Sequence, residues 1–88
     1  MANHKSAAKR ARQTIKRTER NHAVKSRVRS AVRSFREAIE AGEKELAETK
    51  LSIATRELRK AASKGVFHPR TVSRRVSRLV KGMNQARA

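Results

Sequence analysis

The sequence of 88 residues contains no cysteine, tryptophan or tyrosine, and all seven of its acidic residues are glutamate. Without cysteine the chain has no disulfide and no thiolate ligand, and its three histidines are too scattered to form a metal site. The sequence therefore predicts no metal and no cofactor. It also lacks a run of about eighteen apolar residues, and its basic start lacks the apolar stretch of a signal peptide, so we expect neither membrane association nor export.

Groups suited to catalysis are also few. Glu37, Glu40 and Glu43 follow one another at intervals of three, which could bring carboxylates together, but a solvated helix edge with Arg33, Arg36 and Lys44 at pairing distance is the better interpretation. No glycine-rich phosphate loop or dinucleotide motif is present. We therefore expect a protein that is not an enzyme and has no small-molecule substrate.

Positive charge dominates the composition, with a net charge of +17. Residues 1–36 contain twelve Lys or Arg and one Glu, residues 37–57 contain three and six, and residues 58–88 contain nine and none. Because such a distribution repels itself when it is compact, we expect a polyanionic partner. Arginine outnumbers lysine by 15 to nine, which suits bidentate recognition of phosphate.

Only four residues beyond the first few interrupt helical sequence, and they are Gly42, Gly65, Pro69 and Gly82. They delimit three predicted helices, over residues 6–41, 43–63 and 69–84, with Ser6 as the N-cap of the first. Each helix has an apolar stripe with helical periodicity that predicts a core. The stripes are Val24, Val28, Ala31, Phe35, Ala38 and Ile39; then Ala47, Leu51, Ala54, Leu58 and Ala61; then Val72, Val76, Leu79, Val80, Met83 and Ala86. The second stripe is widened by Leu46 and Ile53, which predicts a central position for the second helix.

The start of the first helix has a different character. Between Lys5 and Arg20, seven of sixteen residues are Lys or Arg, and Ile15 is the only large apolar residue. Basic residues are interpreted as covering most of the circumference, so this half is expected to extend beyond the bundle as a charged rod. The predicted fold is all-α: a three-helix bundle with a long N-terminal helix extending beyond it, as one domain over residues 1–88.

The few aromatic and histidine side chains leave limited choices. Phe35 and Phe67 are the only aromatic residues, too few for a base-stacking platform, and we expect both to pack in the core. His68 precedes Pro69 and is suited either to capping the third helix or to contacting a phosphate. The basic stripes favour nucleic acid over a membrane, because the N-terminal segment has mostly alanine where a membrane-active helix needs a wide apolar face.

Two stretches resemble a known family. The start, MANHKSAAKRARQ, and a later segment, KGVFHPRTVSRRVSRL, resemble the S-twenty family of bacterial small-subunit ribosomal proteins. The resemblance implies a three-helix bundle in the cytoplasmic ribosome. It would bind the 5′ domain and the long penultimate-stem region of 16S ribosomal RNA and assist 30S assembly, with other 30S components as potential partners. A nonspecific nucleoid- or polyanion-binding protein is the alternative, and a membrane-active cationic helix is third.

The family motifs, matched residue by residue, imply a set of RNA contacts. These are Lys5, Lys9, Arg10, Arg12, Lys16, Arg17, Arg20, Asn21, Lys25, Arg29, His68, Arg74 and Arg78. The chain departs from the family pattern at Pro69 and Arg70, where Lys-Asn is common, and at Val76, where a basic residue is common. At the start of the third helix the resemblance therefore supports the family's RNA contacts less strongly than it supports the fold.

Overall fold

Three α-helices make up nearly all of the computed structural model, which describes the backbone of residues 2–88 and the side chains from residue 6 onward. The helices are α1 (Ala2–Glu40), α2 (Lys44–Ser63) and α3 (Pro69–Arg87). No strand occurs in residues 2–88. The predicted all-α class and the number of helices are confirmed, and none of the helices in this range is both long and apolar enough to cross a membrane.

Two glycines end α1 and α2 in the same way. Gly42 and Gly65 have φ angles of +73° and +75°, which a residue without a Cβ adopts at little cost. After α1, the N–H of Gly42 donates to the carbonyl of Ile39 and the N–H of Glu43 donates to that of Ala38, both at 3.1 Å. After α2, the N–H of Gly65 donates to the carbonyl of Ala62 and the N–H of Val66 donates to that of Ala61. Both ends are Schellman motifs, which satisfy the last carbonyls and turn the chain sharply.

The other helix ends follow the sequence less closely. Helix α1 begins at Ala2, so Ser6 lies within the helix and the predicted N-cap is wrong. Helix α3 begins as predicted at Pro69, with Nδ1 of His68 accepting a hydrogen bond of 3.1 Å from the N–H of Arg70. It passes through Gly82 as predicted, with the buried Met83 continuing its apolar stripe, and it ends at Arg87, three residues beyond the predicted end at residue 84.

The core lies where the three apolar stripes meet. Its buried members are Val24, Val28, Phe35, Ala38, Ala47, Ala54, Leu58, Ala61, Val72, Leu79 and Met83. Helix α2 packs against both α1 and α3, whereas the backbones of α1 and α3 approach each other at few points. The central position predicted for α2 is confirmed. Three fully buried alanines, Ala47, Ala54 and Ala61, keep the packed side of α2 small, and two predicted core positions, Leu46 and Val80, are 42% and 39% exposed.

The first part of α1 extends beyond this core. Every residue from 6 to 20 is exposed, and from residue 6 onward the first buried residue is Val24. At 1.5 Å per residue these fifteen residues form a rod about 22 Å long, here called the amino-terminal arm. The arm gives the molecule its elongated shape, with Cα extents of 66 × 22 × 13 Å. The predicted overshoot of the first helix is thus confirmed.

Candidate nucleic-acid interface

The amino-terminal arm has a continuous basic face. Its six described cations are Lys9, Arg10, Arg12, Lys16, Arg17 and Arg20, and all are exposed. At 100° per residue they fall within an arc of about 160°. The predicted contact Lys5 lies outside the described side chains. The arc includes the side of α1 that faces the core farther along the helix, so apolar contacts give way to cations on that side once the bundle ends.

The remaining sides of the arm are neutral and small. Ala8, Ala11 and Ile15 lie outside the basic arc, and Ile15 is 57% exposed. The prediction that basic residues cover most of the circumference is therefore too broad for this segment. Only when residues 25–36 are included do cations surround α1, because Lys25, Arg29, Arg33 and Arg36 lie on the opposite side of the helix, whereas Arg27 continues the basic arc of the arm.

A second basic surface lies between α1 and α3. Where these two helices separate, they enclose an open groove of about 820 Å³, here called the α1–α3 groove. Its apolar floor includes Val28, Val32 and Leu79. Its cationic walls are formed by Lys25, Arg29, Arg33, Arg36, Arg75 and Arg78. Six cations against only Glu37 and Glu40, which lie near the end of α1, make the groove attractive to an anion.

Phe67 lies in the wall of this groove. Its ring is half-buried, and the guanidinium carbon of Arg75 lies 4.8 Å from the ring centroid, within the range of a cation–π contact. The prediction that both phenylalanines pack in the core is confirmed for Phe35, which is 3% exposed, but only partly for Phe67. Phe67 contacts the core with one part of its ring and supports an arginine with another.

Few of these cations are neutralised within the chain. Among residues 6–88 the one ion pair joins Arg87 of α3 to Glu48 of α2, and both side chains are about half exposed. Glu37, Glu40 and Glu43 are exposed as predicted, but Arg33, Arg36 and Lys44 do not come within ion-pair distance of them. The expected pairing is therefore wrong, and both arginines remain available to an external anion.

The other predicted contact residues either line the α1–α3 groove or stand in isolated positions. Lys25, Arg29 and Arg78 line the α1–α3 groove. Arg74 is exposed but does not line it, and His68 uses Nδ1 to cap α3. Asn21 is half-buried at the junction of arm and bundle, and its Oδ1 is buried without a hydrogen-bond partner among the described residues. The predicted set thus divides into the arm, the groove and isolated positions.

Comparison with known proteins identifies the family. The family model described as Ribosomal protein S20 matches residues 2–84. The chain belongs to the ribosomal protein S20 family. It is 52% identical over 85 residues to the small ribosomal subunit protein bS20 of Maridesulfovibrio salexigens, and 49% identical over 85 residues to that of Nitratidesulfovibrio vulgaris. Each alignment covers 97% of this chain and 98% of the relative. The corresponding protein of Helicobacter acinonychis is 52% identical over 79 residues, covering 90% of this chain and 89% of the relative.

Membership of the S20 family agrees with the expectation that the protein is not an enzyme. A ribosomal protein of this family has a structural role and is not an enzyme. Its functional surface is therefore a binding surface, which charged and contact-forming side chains define. The arm and the α1–α3 groove each contain six cations that form no ion pair with a described carboxylate.

The motifs of the S20 family did not point to every residue of these surfaces. Arg33, Arg36 and Arg75 line the α1–α3 groove, but none was among the predicted contacts. For Arg33 and Arg36 a signal was present, since they continue at intervals of four and three the stripe that contains Lys25 and Arg29. Arg75 had no comparable signal, because its role depends on the separation of α1 and α3.

Proposed function

We propose that the protein binds 16S ribosomal RNA directly and stabilises the folded RNA while the small subunit assembles in the cytoplasm. The observation that carries the proposal is the amino-terminal arm: fifteen consecutive exposed helical residues with six cations and one glutamate. Such a segment gains no burial from its own chain, and its like charges repel one another. Phosphates supply the missing counter-charge, and release of their counterions supplies affinity.

The RNA contacts proposed here are those implied by the family motifs, together with the groove arginines. The arm cations and the groove cations of α1 point to opposite sides of the same helix. Folded RNA presents backbones from several helices at once, which suits two basic surfaces that face different directions. This arrangement supports simultaneous contact with the 5′ domain and the penultimate-stem region, and other 30S components are potential neighbours.

Competition between nucleic acids tests the proposal. The full chain is bound to a labelled 16S fragment that contains both regions, and unlabelled 16S RNA or random duplex DNA of equal phosphate content is added. We expect 16S RNA to compete at a much lower concentration than DNA. Equal competition would favour the alternative function, a nonspecific nucleoid or polyanion binder, because charge alone does not distinguish the two polymers. Footprinting on 16S RNA then tests which regions are contacted.

A membrane-active helix is tested in parallel with anionic vesicles. The neutral side of the arm offers Ile15 and alanines, too little apolar area for insertion into the headgroup region. We expect the vesicles to compete weakly and to lose the protein at moderate salt. Tight binding to vesicles that persists in high salt would contradict the proposal, since it would indicate apolar insertion.

A further inference from the structure

The α1–α3 groove differs from the amino-terminal arm because it combines cations with an aromatic ring. We infer that it binds an unpaired nucleotide of the RNA, with the base stacked on the Arg75–Phe67 pair and the flanking phosphates held by the cations of α1. The inference rests on the proposed RNA binding and makes it more specific. It names the unpaired nucleotide as the ligand of this groove, in contrast to the regular backbone expected along the arm.

The Arg75–Phe67 pair has the form of a stacking platform. With its carbon centre 4.8 Å from the ring centroid, the Arg75 guanidinium is supported by Phe67 on one side. Arg75 is exposed and forms no ion pair with a described carboxylate. Bases that leave an RNA helix stack on aromatic rings and on guanidinium planes, and arginine suits this role because its charged group is flat. An arginine held against a ring loses less freedom when a base binds.

The cations of α1 are placed to hold the phosphates on either side of such a base. Lys25, Arg29 and Arg33 follow one another at intervals of four residues, or about 6 Å along the helix axis. They line the same groove as Arg75. Glu37 and Glu40 line it farther along α1, so a polyanion is favoured in the part of the groove that precedes them. The charges thus select the section of the groove that the backbone occupies.

An acidic helix of another protein is the competing occupant, and the burial of the floor disfavours it. Val28 and Leu79 are already 2% and 6% exposed within the protein's own core. A partner helix would therefore bury little additional apolar surface on the floor, although burial of such surface is what stabilises helix-in-groove complexes. A nucleotide depends on stacking and charge, both of which the groove supplies.

The test uses two RNA hairpins that are identical except for one unpaired adenosine in the stem of the first. Stacking of one base is expected to make the wild-type chain bind the first hairpin about 5- to 150-fold more tightly than the fully paired hairpin. Arg75→Lys keeps the charge but removes the flat group, and Phe67→Leu removes the supporting ring. Either substitution should reduce the preference to within about twofold. The matched control is Arg70→Lys, which changes an exposed arginine of α3 that lies outside the groove and should keep the full preference.

The outcomes separate this inference from the proposed function. A full preference in Arg75→Lys would overturn the stacking role, as would a wild-type chain that binds both hairpins equally yet selects 16S RNA over duplex DNA. Failure to select 16S RNA would instead refute the proposed function. Circular dichroism checks that Phe67→Leu is folded, and Arg75→Lys tests the inference without altering the core. Polyglutamate of matched charge is the last competitor: if it displaced the unpaired-adenosine hairpin as well as that hairpin displaces itself, the groove would be a site for acidic segments and the inference would be wrong.

Discussion

Neutralising the amino-terminal arm should weaken RNA binding without unfolding the bundle. The change replaces the six described cations of the arm with glutamine: Lys9, Arg10, Arg12, Lys16, Arg17 and Arg20. Glutamine has nearly the helix propensity of lysine and arginine, so the backbone preference is retained. Because no residue of the arm belongs to the core, we expect the thermal unfolding of the bundle to change little.

The magnitude follows from counterion release. If the whole protein neutralises on the order of ten phosphates, the slope of log K against log salt is roughly −7 to −9. If each arm cation meets one phosphate, removal of six makes the slope shallower by about 4 to 5. Between 50 and 200 mM salt, the wild-type affinity then falls by about four to five orders of magnitude and that of the variant by about two.

Filter binding to the 16S fragment at several salt concentrations measures both slopes, and circular dichroism monitors folding. The control replaces Ala7, Ala8 and Ala11 with glutamine, at exposed positions outside the basic arc, and leaves the charge unchanged. We expect the control to keep the wild-type slope. The reasoning would be refuted if the neutralised arm gave the same slope as the wild type, since the arm cations would then meet no phosphates.

Three further predictions concern the free protein. Leu58→Ala, at a position that is 0% exposed, should lower the free energy of unfolding by about 2–5 kcal/mol. Leu46→Ala, at 42% exposure in the same helix, should change it by less than about 1 kcal/mol. Urea unfolding measures both, and equal effects would contradict the assigned core. Without RNA, amides of residues 6–20 should exchange rapidly and those of 24–39 slowly, and uniform protection would show that the arm is stabilised by its own chain. His68→Ala should cost about 0.5–2 kcal/mol in thermal unfolding while His68→Asn retains most of the stability, and an equal loss in both would argue against the capping role.

The fold was largely predictable because the residues that begin and end its helices act locally. Gly42 and Gly65 end two helices through left-handed backbone conformations that glycine favours, and Pro69 starts the third. The start of α1 was misplaced, because residues 2–5 contain no helix breaker and Ser6 is compatible with the interior of a helix as well as with its cap. Each of these helix boundaries depends on residues that are close together in the sequence.

The second binding surface was less predictable because it depends on tertiary packing. Helical periodicity shows which side of α1 contains Arg33 and Arg36, but not that α3 lies far enough away to leave a groove there. The same separation leaves Phe67 half-buried and brings Arg75 over its ring. The sequence predicted ion pairs between the two α1 arginines and glutamates in the neighbouring turn. Exposed side chains gain little free energy from such pairs, so the prediction failed.

The exposure of the arm also separates two kinds of selection on the sequence. A screen that reports only the amount of intact protein would accept many substitutions over residues 6–20, since none of these side chains helps to hold the bundle together. If the arm binds 16S RNA as proposed, the same substitutions would appear as defects only when ribosomes are counted. Variants of this region therefore need to be scored by subunit production, because measurements of protein abundance and thermal resistance would classify them as silent.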